Sequence, residues 1–120
     1  MGYSKLFGAV DLVYVPVKFS TMVGLGYAFV NWTTPEIAMQ FMHTYGGFDS
    51  DMSPPFGVVF KATWSHCQGL ENNVARYQNS AVMNSSVPAS CKPVLLKDGC
   101  QILFPEPTKQ LRKLRYRNLM

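Results

Sequence analysis

Two stretches near the start of the chain carry the two-residue period of β-strands, in which successive side chains point to opposite faces. Over Val10–Lys18, Val13, Val15 and Val17 share one face, and Leu12, Tyr14, Pro16 and Lys18 share the other. The β-branched face is the one suited to a core. Pro16 has no N–H to give a ladder, which predicts an edge strand. After a loop over 19–24, Leu25–Trp32 read as a second strand pairing antiparallel with the first. Ala28, Val30 and Trp32 take its core face, leaving Tyr27, Phe29 and Asn31 opposite. The period then becomes helical. Thr33-Thr34-Pro35-Glu36 is a helix start, either with Thr34 capping and Pro35 at the first position or as a Thr33/Glu36 capping box. Ile37, Ala38, Phe41, Met42 and Tyr45 form the apolar stripe, His43 lies off it, and Gly46-Gly47 ends it.

A third strand is predicted over Val58–Ser65, with Val58, Phe60, Ala62 and Trp64 on the apolar face. Val59, Lys61, Thr63 and Ser65 then join Tyr27 and Phe29 on one sheet surface. Leu70, Val74 and Tyr77 repeat at helical spacing after Gly69, which predicts a second helix. Residues 85–90 read as loop. Pro93–Leu96 and Ile102–Phe104 flank the turn Lys97-Asp98-Gly99 as a hairpin. Tyr3, Leu6 and Phe7 suit the end of an earlier helix stopped by Gly8.

Composition agrees with one folded domain. The chain has 120 residues, 48% of them hydrophobic and 15% charged. No apolar run is long enough to span a bilayer, and the first residues show no signal-peptide pattern. Cys67, Cys91 and Cys100 are odd in number and form no C-x-x-C pair, which fits reduced thiols. These features point to an intracellular protein, nuclear and/or cytoplasmic, with no membrane partner. His66 and Cys67 point opposite ways on a strand, which argues against zinc, and no cofactor is expected. An enzyme is disfavoured too. Neither His43 nor His66 has a nucleophile at motif spacing, and Gly24-Leu25-Gly26 enters a strand where a dinucleotide fingerprint would open a helix.

The net charge of +4 is unevenly placed. Through Phe104, Lys5, Lys18, Lys61, Arg76, Lys92 and Lys97 are cancelled by Asp11, Glu36, Asp49, Asp51, Glu71 and Asp98. The excess lies in Lys109, Arg112, Lys113, Arg115 and Arg117, opposed only by Glu106. The chain therefore divides into a body over 1–104 and a basic, flexible tail over 105–120 that attracts phosphate.

Two aromatic rings on the face opposite a core need a reason. Gly26-Tyr27-Ala28-Phe29-Val30 fits the octamer of RNA-recognition motifs, [KR]-G-[FY]-[GA]-F-V-x-[FY], whose rings stack on unpaired bases. The first octamer position here is Leu25 and the last is Trp32. Three longer stretches resemble one branch, the C-terminal motif of the Mei-two-like meiotic RNA-binding proteins. They are Leu12–Phe19 leading into Gly26–Asn31, then Gln68-Gly69-Leu70, then Tyr77–Asn84 followed by Cys91–Leu96. The resemblance implies an α+β, ferredoxin-like RRM sandwich: an antiparallel sheet with helices on one face plus a C-terminal helix. It is partial, because nothing before Leu12 supplies the family's first strand and most of its first helix. That departure suggests either a fragment or a strand over 58–65 that moves over to pair with the octamer strand.

The function this implies is single-stranded RNA binding in a meiotic or developmental regulator. Tyr27 and Phe29 would stack on bases, and Asn31 and Thr63 would read base edges. Tyr14 and Lys18 would extend the surface, Lys61 would meet phosphate, and Lys109, Arg112, Lys113, Arg115 and Arg117 would add non-specific attraction. The alternative is a degenerate motif serving as a protein–protein interaction module, docking partners on its aromatic sheet or through exposed sheet edges.

Overall fold

A computed structural model describes residues 8–45 and 62–113. Strand β1 (Val10–Tyr14) is flanked by β4 (Phe29–Trp32) and β5 (Val94–Lys97), and β6 (Cys100–Ile102) closes the order β4-β1-β5-β6. All three pairings are antiparallel. A second, two-stranded sheet joins β2 (Val17–Lys18) to β3 (Val23–Gly24). Helix α1 spans Pro35–Tyr45 and helix α2 spans Leu70–Gln78, with single 3₁₀ turns at Ala81–Met83 and Ala89–Cys91. This is the expected α+β class, an antiparallel sheet with two helices, consistent with a partial ferredoxin-like fold. Among the described residues no helix is long and apolar enough to cross a membrane.

The first strand differs from its sequence reading in two ways. It is internal, because the β5–β6 hairpin pairs with its outer edge through Leu12↔Leu95 and Val13↔Val94. Pro16 is consistent with this because the ladder has already ended. Pro16 is buried between β1 and β2, where the chain leaves for the second sheet, and its carbonyl accepts from the Leu25 N–H at 3.0 Å. The core face is also the opposite one. Leu12 is wholly buried whereas Val15 is 49% exposed. Leu12, Tyr77 and Leu95 form the main cluster, with Tyr14, Val74 and Phe104 against it. Val82, Val87 and Cys91 form a second cluster that Tyr14, Val17, Phe19 and Met83 also touch. Tyr14 joins the two. β-branching pointed to the valine face, but the residues arriving from the C-terminal half decide which face is covered.

The first helix starts where its caps place it, with the Ile37 N–H donating to Thr34 Oγ1 at 3.3 Å. Its partner across the sheet is Trp32, whose ring centroid lies 4.9 Å from that of Phe41. The second helix packs on Leu12 and Tyr14 through Tyr77 and Val74. Leu12 and Tyr14 lie opposite Asn31 and Phe29 in the ladder, and Trp32 alternates away from both. The two helices therefore occupy opposite faces of the sheet. Entry to α2 rests on Gly69, whose φ of 88° favours glycine. Buried Asn73 holds that entry by donating to the Gly69 carbonyl at 2.8 Å. The C-terminal hairpin turns on Asp98 and Gly99, at φ 53° and 81°, the left-handed pair that a two-residue turn requires.

The predicted strand over 58–65 lies largely outside the described residues. Of its described end, Ala62 makes an isolated bridge and Thr63, Trp64 and Ser65 are irregular. Trp64, assigned to the apolar face, is 51% exposed. Gly46-Gly47 and the bulk of the first nine residues also lie outside.

Candidate nucleic-acid interface

The octamer forms a regular ladder only from Phe29 onward. Gly26 takes φ 95° and bends the chain, so Leu25, Gly26, Tyr27 and Ala28 lead into the strand without pairing in it. This gives the two signature rings different settings. Tyr27 is 54% exposed, while Phe29 is half-buried. The rings meet edge to face, with centroids 5.6 Å apart and planes at 88°. Phe29 lies opposite Tyr14 in the ladder, and those rings run nearly parallel (13°) at 6.5 Å. Tyr14 in turn receives Tyr77 at 5.0 Å and 61°. The result is a continuous aromatic row, Tyr27–Phe29–Tyr14–Tyr77, exposed at one end and buried at the other.

The buried end has a chemical signature. Burial raises the Tyr14 hydroxyl pKa above its ordinary 10.0, and the neighbouring Tyr77 and Tyr27 add to the rise. Burial also raises that of Tyr77, with Arg76 acting in the opposite sense. Tyr77 Oη is buried without a hydrogen-bond partner. Tyr14 is therefore part of the core that supports Phe29, and its ring is covered by α2.

The remaining expected site residues are scattered. The Asn31 side-chain amide donates to Asp11 Oδ1 at 2.8 Å, so its nitrogen is engaged within the sheet. Lys18 is half-buried in β2, and Thr63 is exposed. Lys61, Arg115 and Arg117 lie outside the described residues. Lys109, Arg112 and Lys113 are exposed, on a segment fastened beside the end of α2. Gln78 Nε2 donates to the Glu106 carbonyl at 2.7 Å. Asn79 and Thr108 exchange two hydrogen bonds, of 3.0 and 2.9 Å, and Asn84 Nδ2 donates to the Arg112 carbonyl at 3.3 Å. The basic segment, read from the sequence as flexible, is thus held to the body at three points as far as Arg112.

One residue at this surface enters the sequence reading only as one of the cancelled body charges, with no role at the site. Arg76, exposed on α2, places its guanidinium carbon 5.6 Å from the centroids of both Phe29 and Tyr77. The helical pattern carried a signal for it, since Arg76 directly precedes the apolar Tyr77. Without knowing which face α2 covers, it reads as one more solvated cation.

An antiparallel sheet carrying octamer aromatics, with one helix on the far face and a second on the aromatic face, is consistent with a partial RNA-recognition motif. In sequence the chain is similar to the MEI2-like proteins. It is 30% identical over 117 residues to protein MEI2-like 4 of Oryza sativa subsp. japonica, covering 92% of this chain and 11% of that protein. To protein MEI2-like 3 of the same plant it is 33% identical over 106 residues, 83% of this chain and 10% of the relative. To protein terminal ear1 of Zea mays it is 29% identical over 111 residues, 88% and 16% of the two chains. The chain spans about a tenth of the length of the first two of these curated relatives. No family model matches it.

Proposed function

We propose that the chain binds single-stranded RNA by stacking bases on Tyr27 and Phe29, as part of a meiotic or developmental regulator of the MEI2-like kind. One observation carries this reading: Tyr27 stands 54% exposed beside Phe29, at the open end of an aromatic row whose other end is locked in the core. A ring that serves only packing gains nothing from such exposure, whereas a base needs an accessible π-face held in place. Stacking tolerates every base, so selectivity falls to hydrogen bonds to the base edges, with Thr63 and main-chain atoms as candidate donors and acceptors. Lys109, Arg112 and Lys113 add salt-sensitive attraction for the backbone.

Phe29→Ala is expected to weaken single-stranded RNA binding by about 1–3 kcal/mol at every salt concentration. Charge reversal at Lys109, Arg112 and Lys113 is expected chiefly to flatten the salt dependence. Titrations against a single-stranded RNA panel, with thermal melts to confirm folding, measure both. Unchanged affinity in Phe29→Ala rejects the stacking model.

A second reading draws on β6, the outermost strand of its sheet among the described residues. Its three residues are exposed, and Leu103 beyond it is 94% exposed. Such an edge suits strand addition by a protein partner. A mass that rises with concentration, with no response to RNA, favours that reading.

A further inference from the structure

We propose that Arg76 is an RNA-phosphate ligand, supplying from helix α2 the cation that the octamer pattern puts at its first position and this chain replaces with Leu25. The inference rests on the RNA-binding reading above and names a residue that reading does not require. Leu25 is apolar and 42% exposed, and it lies in the bend before β4. The body through Phe104 has no charge excess, so a phosphate at the aromatic row needs a cation brought there by another element. Arg76 is that cation. It points over Phe29 itself, and Tyr77, the next residue, is locked under Tyr14 in the core. The anchor of the helix and the position of the guanidinium are thus set by adjacent residues.

The spacing decides how the arginine acts. A base inserted between two flat groups needs a van der Waals separation on each side, about 7 Å in all. The guanidinium carbon stands 5.6 Å from the Phe29 centroid. A base cannot enter between them, so stacking on Phe29 moves the guanidinium off the ring. Its long, exposed side chain allows this, and its planar fork matches the two oxygens of a phosphate. In the free protein the aromatic row holds Arg76 by cation–π contact. With RNA bound, the nucleotide takes the ring and its phosphate takes the guanidinium. Two roles are thereby separated in sign: a residue that only occupies the ring would oppose binding, and a phosphate ligand promotes it.

The test compares the full chain with Arg76→Gln, Arg76→Lys and Phe29→Ala, titrated with a short mixed-sequence single-stranded RNA over a range of salt. Arg76→Gln is expected to bind about tenfold more weakly at low salt, with the slope of log affinity against log salt reduced by about 0.7, the contribution of one single-strand phosphate. Arg76→Lys should retain the slope while losing affinity, since it keeps the charge and loses the fork. An unchanged slope or tighter binding in Arg76→Gln, with Phe29→Ala still weakened, overturns the assignment and leaves base stacking intact. A normal affinity in Phe29→Ala with a reduced slope in Arg76→Gln does the reverse, removing stacking and retaining the phosphate ligand. No binding by the unmodified chain overturns both.

Discussion

Leu12→Ala is expected to lose about 2–5 kcal/mol of folding stability. Leu12 has no exposed surface, and its partners come from two elements of the C-terminal half: Tyr77 on α2 and Leu95 on β5. Truncation would leave a cavity bounded by a ladder on one side and a helix on the other, and neither can collapse freely into it. β1 is fixed between β4 and β5, and α2 is held by Asn73 at its start and by Gln78 and Asn79 at its end. A small domain is stable by only about 5–15 kcal/mol, so the loss is a large part of the total. Val15→Ala is the internal comparison: the two positions were assigned to opposite faces with the core on the valine side, and Val15 is 49% exposed. Its cost should be within about 0.5 kcal/mol. Urea titrations of both variants decide between the two faces, and a larger loss at Val15 contradicts the packing described.

That pair also shows how far the sequence could be read. Local signals were legible wherever the cause is local. Thr34 and Pro35 start α1 because a cap and a fixed φ act within one turn. The Asp98-Gly99 turn and the hairpin around it follow from two residues that tolerate positive φ. The antiparallel partnership of β1 with β4 followed from their alternation. What was not legible depends on elements distant in sequence. Nothing in Val10–Lys18 states that β5 will cover its outer edge, or that Tyr77 will cover Leu12 and Tyr14. The three stretches that resemble the Mei-two-like branch carried this information without explaining it. Gly69 turns the chain into α2, Tyr77 fills the core, Asn79 and Asn84 hold the basic segment, and Cys91 and Leu95 complete the two clusters. At the candidate site, Tyr27 and Phe29 were read from their pattern. Tyr14 was assigned to the surface because its cover comes from a helix more than fifty residues away in sequence, and Arg76 was missed for the same reason.

Tyr77 tests that cover directly, because its ring and its hydroxyl act in opposite directions. Removing the ring in Tyr77→Ala is expected to lose about 3–5 kcal/mol, as for other buried aromatics. The ring contacts Tyr14 and lies within the Leu12 cluster, so its loss both opens a cavity and frees α2 from the sheet. Removing only the hydroxyl in Tyr77→Phe is expected to raise stability by about 1–3 kcal/mol, because Oη is buried without a partner and is desolvated with no hydrogen bond in return. The two substitutions together distinguish packing from polarity at one position. The hydroxyl has a further consequence at high pH. Burial raises the Tyr77 and Tyr14 pKa values above 10.0, so both protons are held more tightly in the folded chain than in the unfolded one. Their contribution is fully present below the unfolded value. It is lost as pH rises from there through the folded values, since the unfolded chain ionises first. Chemical denaturation repeated from neutral to strongly alkaline pH should therefore show stability falling above about pH 10 in the native chain. The fall should be shallower in Tyr77→Phe, where only Tyr14 remains. Equal slopes in the two proteins would mean that Tyr77 ionises as freely in the folded chain as in the unfolded one, and the row would then be open at both ends.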